Sequence, residues 1–298
     1  AIALHNGSQG QAVYLAGGTD LVPRLKYRLV YPTVVSDLKG IQTLTSIIPG
    51  RRFLKIGANV TLHDLKNHPA VRENYPALYQ SLDATSCETL QMRGTIAGNV
   101  LQNTRCLFYN KPDEWRKAKG YCLKMGGPAC NAVKGAKMCF ANYASDNAPA
   151  LITLNAQVKL SGIDGERQMP LEAIFSGKSD LPYTIKPGEI LTHILIPGGK
   201  TKGDYLKLRV RGSIDYPLVG AAVSLVNERG RVAVGAVGSK PLCFDFDASE
   251  AGWVDRIARE VSDAVRPVAN TVLSPAYRKK MAGTLVKRIA RKLAEENR

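Results

Sequence analysis

Short apolar runs separated by glycine turns organise the first hundred residues. The runs at 12–15, 33–38 and 53–58 predict strands, and 21–29 predicts a helix broken near Tyr31-Pro32. Thr61 is placed to cap a helix that begins with Leu62, and 76–92 predicts another. Farther on, 148–154 reads as a helix and 157–160 as a strand. Pro182, Pro187, Gly188, Pro197, Gly198 and Gly199 then mark a boundary between 1–199 and 200–298. Beyond it, 204–211, 218–226 and 231–237 predict strands, with Asn227-Glu228-Arg229-Gly230 turning between the last two. Two helices, about 250–266 and 275–296, close the chain. The second places Tyr277, Met281, Leu285, Ile289 and Leu293 at four-residue steps. Strands and helices follow one another without strict alternation, so the expected class is α+β.

Residues 103–143 break the pattern. They are rich in Lys, Gly, Asn and Cys and show no periodicity, and a loop of this length needs something to organise it. Of the six cysteines, Cys106, Cys122, Cys130 and Cys139 fall here, separated by 15, 7 and 8 residues, while Cys87 and Cys243 lie outside and read as structural. With 45% hydrophobic and 22% charged residues, the chain is not generally disordered. It has no apolar run long enough for a transmembrane span, and its start does not look like a signal peptide. The expected location is therefore cytoplasmic, where metal ligation or catalysis explains clustered cysteines better than disulfides do. A net charge of +16 asks for an acidic partner: nucleic acid, an anionic cofactor or an acidic protein. The basic closing helix has little of the aromatic interleaving used to bind single strands, which weighs against nucleic acid.

Two segments look built for close backbone approach to an anion: Ala16-Gly17-Gly18-Thr19-Asp20-Leu21 and Gly94-Thr95-Ile96-Ala97-Gly98-Asn99-Val100. Glycines allow positive φ and leave backbone N–H groups free to cradle a phosphate, although each segment also reads as a plain tight turn. Neither fits the Walker A or the G-x-G-x-x-G pattern.

These two turns resemble the pyrophosphate-binding turns of the FAD-binding subunits of the molybdenum hydroxylases, the family of xanthine dehydrogenase and carbon monoxide dehydrogenase. Further landmarks agree in order: Ser145-Asp146 before an Ala-Pro-Ala-Leu helix, Gly188-Glu189-Ile190-Leu191, the Lys207, Arg211 and Asp215 pattern, and Ser274-Pro275-Ala276-Tyr277-Arg278. The resemblance implies an FAD-binding domain over 1–199, made of two subdomains, and a smaller α+β flavoprotein domain over 200–298. The N-terminus looks short against the family. By the same resemblance, the FAD contacts are expected at Ala16, Gly17, Gly18, Thr19, Asp20, Leu21, Thr95, Gly98, Asn99, Ser145, Asp146, Leu191 and Lys207. From the residues alone, Asp146 reads equally well as a helix cap, and a solvated strand lysine is the usual reading of Lys207.

Four thiolates can hold a [4Fe–4S] cluster from one long loop without C-x-x-C pairs. A structural Cys₄ zinc site normally shows two short pairs, which are missing here, and buried free cysteines are a third reading. Within the family, the extra stretch 107–143 resembles the insertion of the β subunits of the 4-hydroxybenzoyl-CoA reductases, which carries an additional [4Fe–4S] cluster. Arg105, Lys111, Arg116, Lys117, Lys119, Lys124, Lys134 and Lys137 face only Asp113 and Glu114 in this region, so basic neighbours would offset a cluster dianion or steer an acidic ferredoxin.

The resemblance thus implies an electron-transfer subunit with FAD and a [4Fe–4S] cluster, with a molybdopterin-bearing large subunit and a [2Fe–2S] small subunit as partners. Electrons would run from ferredoxin inward in a 4-hydroxybenzoyl-CoA reductase. The alternative is the flavin subunit of another molybdenum hydroxylase or aldehyde oxidoreductase, with electrons passing outward. A basic nucleic-acid-binding protein with a structural metal site is the competing class.

Overall fold

The computed structural model describes residues 1–8 and 11–296. A parallel pair, Ala12–Leu15 (β1) and Val34–Asp37 (β2), opens the fold. Helices Ile2–Gly7 (α1) and Leu21–Lys26 (α2) flank it. Ile47–Ile48 (β3) and Phe53–Gly57 (β4) follow, then a run of short helices: Leu62–Asn67 (α3), Pro69–Asn74 (α4), Pro76–Asp83 (α5), Glu88–Gln91 (α6) and Ile96–Val100 (α7). Asp113–Lys119 (α8) lies in the aperiodic region, and Asn147–Thr153 (α9) follows it. Gln157–Gly162 (β5), Gly165–Pro170 (β6) and Ile190–Pro197 (β7) complete an antiparallel sheet of order β3-β4-β7-β5-β6.

The C-terminal part is a second antiparallel sheet, Lys202–Leu208 (β8), Val219–Val226 (β9), Arg229–Gly235 (β10) and Leu242–Asp247 (β11), in the order β11-β10-β9-β8. Trp253–Ala264 (α10) and Pro275–Glu295 (α11) cover it. The period-2 geometry of β9 explains how this sheet is buried on both sides. Val219, Ala221, Val223 and Leu225 join the core under α10 and α11, which includes Leu285, Val286 and Ile289. Ala222 instead joins Tyr205 and Ala233 in the main core, with Leu78 of α5 and Leu151 of α9. The main core therefore runs across the boundary at residue 199. Antiparallel sheets with segregated helices make the α+β class.

Local chemistry accounts for the element ends. Thr61 caps α3 through the Asp64 N–H, Thr95 caps α7 through the Gly98 N–H, and Ser274 caps α11 through the Tyr277 N–H. Asn227 supplies the positive φ of the two-residue turn between β9 and β10. The helix expected over 76–92 is two helices, because Ser86 takes a left-handed φ of 55° and interrupts it. The helix expected over 21–29 ends at Lys26, and the strand expected over 204–211 ends at Leu208.

The aperiodic region is held at both ends. Arg105 and Asn142 exchange backbone hydrogen bonds of 2.7 and 2.8 Å. Asn270 accepts from the Leu107 N–H at its backbone oxygen and donates its amide to Phe140 O. Arg278, fully buried, holds Asn270 Oδ1 at 3.1 Å and also donates to the backbone oxygens of Leu218, Ala236 and Val268. In the middle, buried Arg116 on α8 donates to the Tyr27 and Arg28 carbonyls at 2.7 and 2.9 Å.

Candidate flavin cleft and cysteine cavity

The two glycine turns touch each other. A Cβ on Gly17 would stand 1.8 Å from Arg93 O, and one on Gly94 would stand 3.4 Å from Thr19 Oγ1. Only glycine permits this approach at position 17. Thr19, Asp20, Thr95, Gly98, Asn99 and Asp146 line one cleft. The loop residues Ile214, Asp215 and Tyr216 line the same cleft.

Hydrogen bonds orient the polar groups of this cleft. Asn99 Oδ1 accepts from Ser145 Oγ at 2.6 Å and from Asn147 Nδ2 at 3.0 Å, so the Asn99 amide N–H₂ is the free donor of that side chain. Ser145 Oγ also accepts from the Ala148 N–H at 3.0 Å and so does the capping work at α9, while Asp146 makes no cap bond. Asp146 instead receives Tyr205 Oη at 2.7 Å and Lys207 Nζ at 3.0 Å, one on each oxygen. Burial pushes the Asp146 carboxyl above its ordinary range, and Lys207 and Tyr205 pull against that rise. Lys207 also donates to Ala84 O, and its side chain is 3% exposed, so it is not a solvated strand lysine.

Asp20 ties the first turn to the aperiodic region. Its carboxylate accepts from Arg105 at 3.0 Å and from the Asn103 N–H at 3.3 Å. The Arg105 guanidinium lies 3.7 Å from the centre of the Tyr216 ring. The next residue in the chain is Cys106.

Cys106, Cys122, Cys130 and Cys139 line a second, small cavity, together with Phe108, Tyr109, Lys124 and Phe140. All four are free thiols and partly buried. Burial pushes Cys106 up to about 11, with the neighbouring thiols of Cys139 and Cys122 adding to the rise, and burial also raises Cys139. Among the described residues, no three His, Cys, Asp or Glu side chains are gathered tightly enough to hold a metal ion. The arrangement is thus four thiols around a shared space. Four cysteines are the donor set of an all-thiolate iron–sulfur or zinc site, so the lining matches such a group in chemistry. A groove of about 1260 Å³ near Asn155, Gly198 and the turn after β9 shares no residue with either site.

The family described as the FAD binding domain in molybdopterin dehydrogenase matches residues 1–199. The chain belongs to this family. The FAD-binding subunit of the Escherichia coli (strain K12) aldehyde oxidoreductase is 31% identical over 279 residues, covering 89% of this chain and 84% of that subunit. The medium chain of the Afipia carboxidovorans carbon monoxide dehydrogenase is 27% identical, covering 97% and 91%. Reconstituted CO dehydrogenase from Oligotropha carboxidovorans shares the fold with a TM-score of 0.78 at 24% identity, covering 99% of this chain and 93% of that one. The chain is an FAD-binding oxidoreductase subunit of the molybdenum hydroxylase type.

Within this flavin subunit, the expected contacts separate into groups. Thr19, Asp20, Thr95, Gly98, Asn99 and Asp146 meet at the cleft, and Gly17 sets the spacing of its two turns. Ala16, Gly18 and Leu21 flank the first turn without lining the cleft, and Gly18 supplies its positive φ of 78°. Ser145 and Lys207 stand behind Asn99 and Asp146. Leu191 is buried in the main core on β7 and does not line the cleft. Sequence reasoning missed Gln91, which is 2% exposed and lines the cleft. Its amide N–H₂ is used by Leu82 O and Thr85 O, and its buried Oε1 has no partner, leaving an acceptor for a cofactor N–H or O–H. A glutamine in a four-residue helix carries no signal of that role. Ile214 and Tyr216 were equally silent, because only the fold brings their loop to the turns.

Proposed function

We propose that this chain is the redox relay of a molybdenum hydroxylase complex, holding FAD between its glycine turns and a [4Fe–4S] cluster on Cys106, Cys122, Cys130 and Cys139. The observation that supports the cluster is the convergence of four cysteines, spread over 34 positions of sequence, on one cavity. FAD would carry electrons in the cleft, and the chain's own groups would hold it. The backbone of the abutting turns and the Asn99 N–H₂ suit the diphosphate, while Asp146 and Gln91 suit donors on the ribityl chain or the ring. Leu191 and Lys207 would act from behind, through the core and through Asp146. We assign the cofactor domain to 1–199 and the flanking flavoprotein domain to 200–298.

The partners in this reading are a molybdopterin-bearing large subunit and a [2Fe–2S] small subunit, and the substrate is converted on the former. The relatives favour outward electron flow in an enzyme of the aldehyde oxidoreductase kind. A second reading, inward flow from ferredoxin in a 4-hydroxybenzoyl-CoA reductase, draws on the likeness of residues 103–106 and 120–124 to that subunit. No helix among the described residues is long and apolar enough to cross a membrane; we propose a cytoplasmic complex. Anaerobic addition of an aldehyde to the purified complex separates the readings. Bleaching of the flavin band supports outward flow. Bleaching only by reduced ferredoxin, followed by consumption of 4-hydroxybenzoyl-CoA, supports the second reading.

A further inference from the structure

Lys124 is the charged side chain in the wall of the cysteine cavity. Its ammonium donates to Asn103 Oδ1, to Thr104 Oγ1 and, at 3.2 Å, to Thr104 O. It also stands 4.3 Å from the centre of the Tyr109 ring. Every one of these partners is neutral. Among the described residues no carboxylate oxygen lies within ion-pair distance of Nζ, Asp180 acts on it only from farther away, and the neighbouring Arg24 adds charge of the same sign. A buried cation is costly unless a counter-charge meets it. Arg105, Arg116 and Lys117 differ in this respect: Arg105 pairs with Asp20, and Arg116 and Lys117 pair with Asp113. The cavity therefore presents an uncompensated positive charge beside four cysteines.

We propose that Lys124 is the counter-charge of the iron–sulfur cluster and holds its reduction potential up. The inference rests on the cluster reading above. A four-thiolate [4Fe–4S]²⁺ centre carries a net charge of −2, and one added electron takes it to −3. A fixed cation at the cavity wall favours the more negative state, so it raises the potential. The same ammonium holds Asn103 and Thr104, and the Asn103 N–H is bound to Asp20 at the first glycine turn. The residue that balances the cluster is thereby tied to the flavin cleft.

The test compares Lys124→Gln and Lys124→Arg with the unaltered complex by iron and sulfide analysis and by dithionite titration with redox dyes, following the cluster by electron paramagnetic resonance. The expected result is a cluster potential shifted to more negative values in K124Q and close to the unaltered value in K124R, with flavin content unchanged. A fully loaded K124Q with an unshifted potential overturns the proposal. If K124Q loses the four-iron complement, K124R decides: retention of that iron supports the charge role, and equal loss in both variants overturns it. Iron and sulfide in the unaltered complex no greater than its [2Fe–2S] subunit accounts for is a separate outcome, which removes the cluster reading and the proposal with it.

Discussion

The guanidinium of Arg105 lies flat enough over Tyr216 to bring its carbon to 3.7 Å from the ring centre, while one of its nitrogens holds Asp20 at 3.0 Å. One side chain thus fastens the first glycine turn to the 214–216 loop that also lines the cleft, immediately before the first cysteine of the cavity. A cation over an aromatic face is worth ~0.5–2 kcal/mol, and the partly buried ion pair adds to it. Arg105→Ala is expected to weaken FAD binding by roughly tenfold, since ~1.4 kcal/mol corresponds to that factor. Flavin fluorescence on dilution reads the affinity, and an unchanged dissociation constant would contradict the role.

Gly17 is the tightest point between the two turns. A valine there would have to displace the Arg93 carbonyl, which its Cβ would approach to 1.8 Å. Overpacking of this kind costs ~1–3 kcal/mol. Gly17→Val is expected to yield protein with little bound FAD, while Gly212→Ala, where nothing lies within 4 Å of the added carbon, keeps normal stoichiometry. Gly98→Val should act in the same direction as Gly17→Val, because a Cβ there stands 2.9 Å from the capping Thr95 oxygen. Flavin-to-protein ratios after gel filtration check all three.

Asp146 and Lys207 form an almost fully buried pair, with side chains 5% and 3% exposed. Removing one partner strands the other charge, at a cost of ~3–5 kcal/mol. Asp146→Ala should lower the urea midpoint strongly, and adding Lys207→Met to it should recover part of the loss. A double variant no more stable than Asp146→Ala would contradict this expectation.

The free thiols should differ in reactivity. The thiolate is the reacting form, and Thr89 with nearby backbone groups draws Cys87 below its ordinary value, whereas burial holds Cys106 up at about 11. In protein stripped of iron, iodoacetamide near neutral pH is expected to label Cys87 first. Labelling of Cys106 should rise as the pH climbs toward 11, because its thiolate fraction grows only there. Peptide mass mapping across the pH series gives the order, and early labelling of Cys106 near neutrality would refute it.

Local signals made the frame legible in the sequence. Thr61, Thr95 and Ser274 are caps whose partners lie within three residues, the turn at Asn227 needs one residue of positive φ, and β9 alternates its apolar contacts between two cores. What stayed hidden depends on distant partners. Lys207 looks solvated until Asp146, on another element, is seen to receive it. Arg116 and Lys124 read as part of a solvated basic loop, yet Arg116 is buried on the backbone after α2 and Lys124 points into the cysteine cavity. The break at Ser86 has no Gly or Pro to announce it. Ser145 rather than Asp146 caps α9 because the aspartate is already engaged by Tyr205 and Lys207.

The central claim is that one chain holds both a flavin and an iron–sulfur cluster. Cofactor analysis of the purified complex, combined with Cys122→Ser, tests it most directly. The account predicts FAD with matched iron and acid-labile sulfide, no stoichiometric zinc, and loss in C122S of this chain's iron and sulfide with FAD retained. Unchanged iron and sulfide in C122S, or stoichiometric zinc in the cysteine cavity, would contradict it.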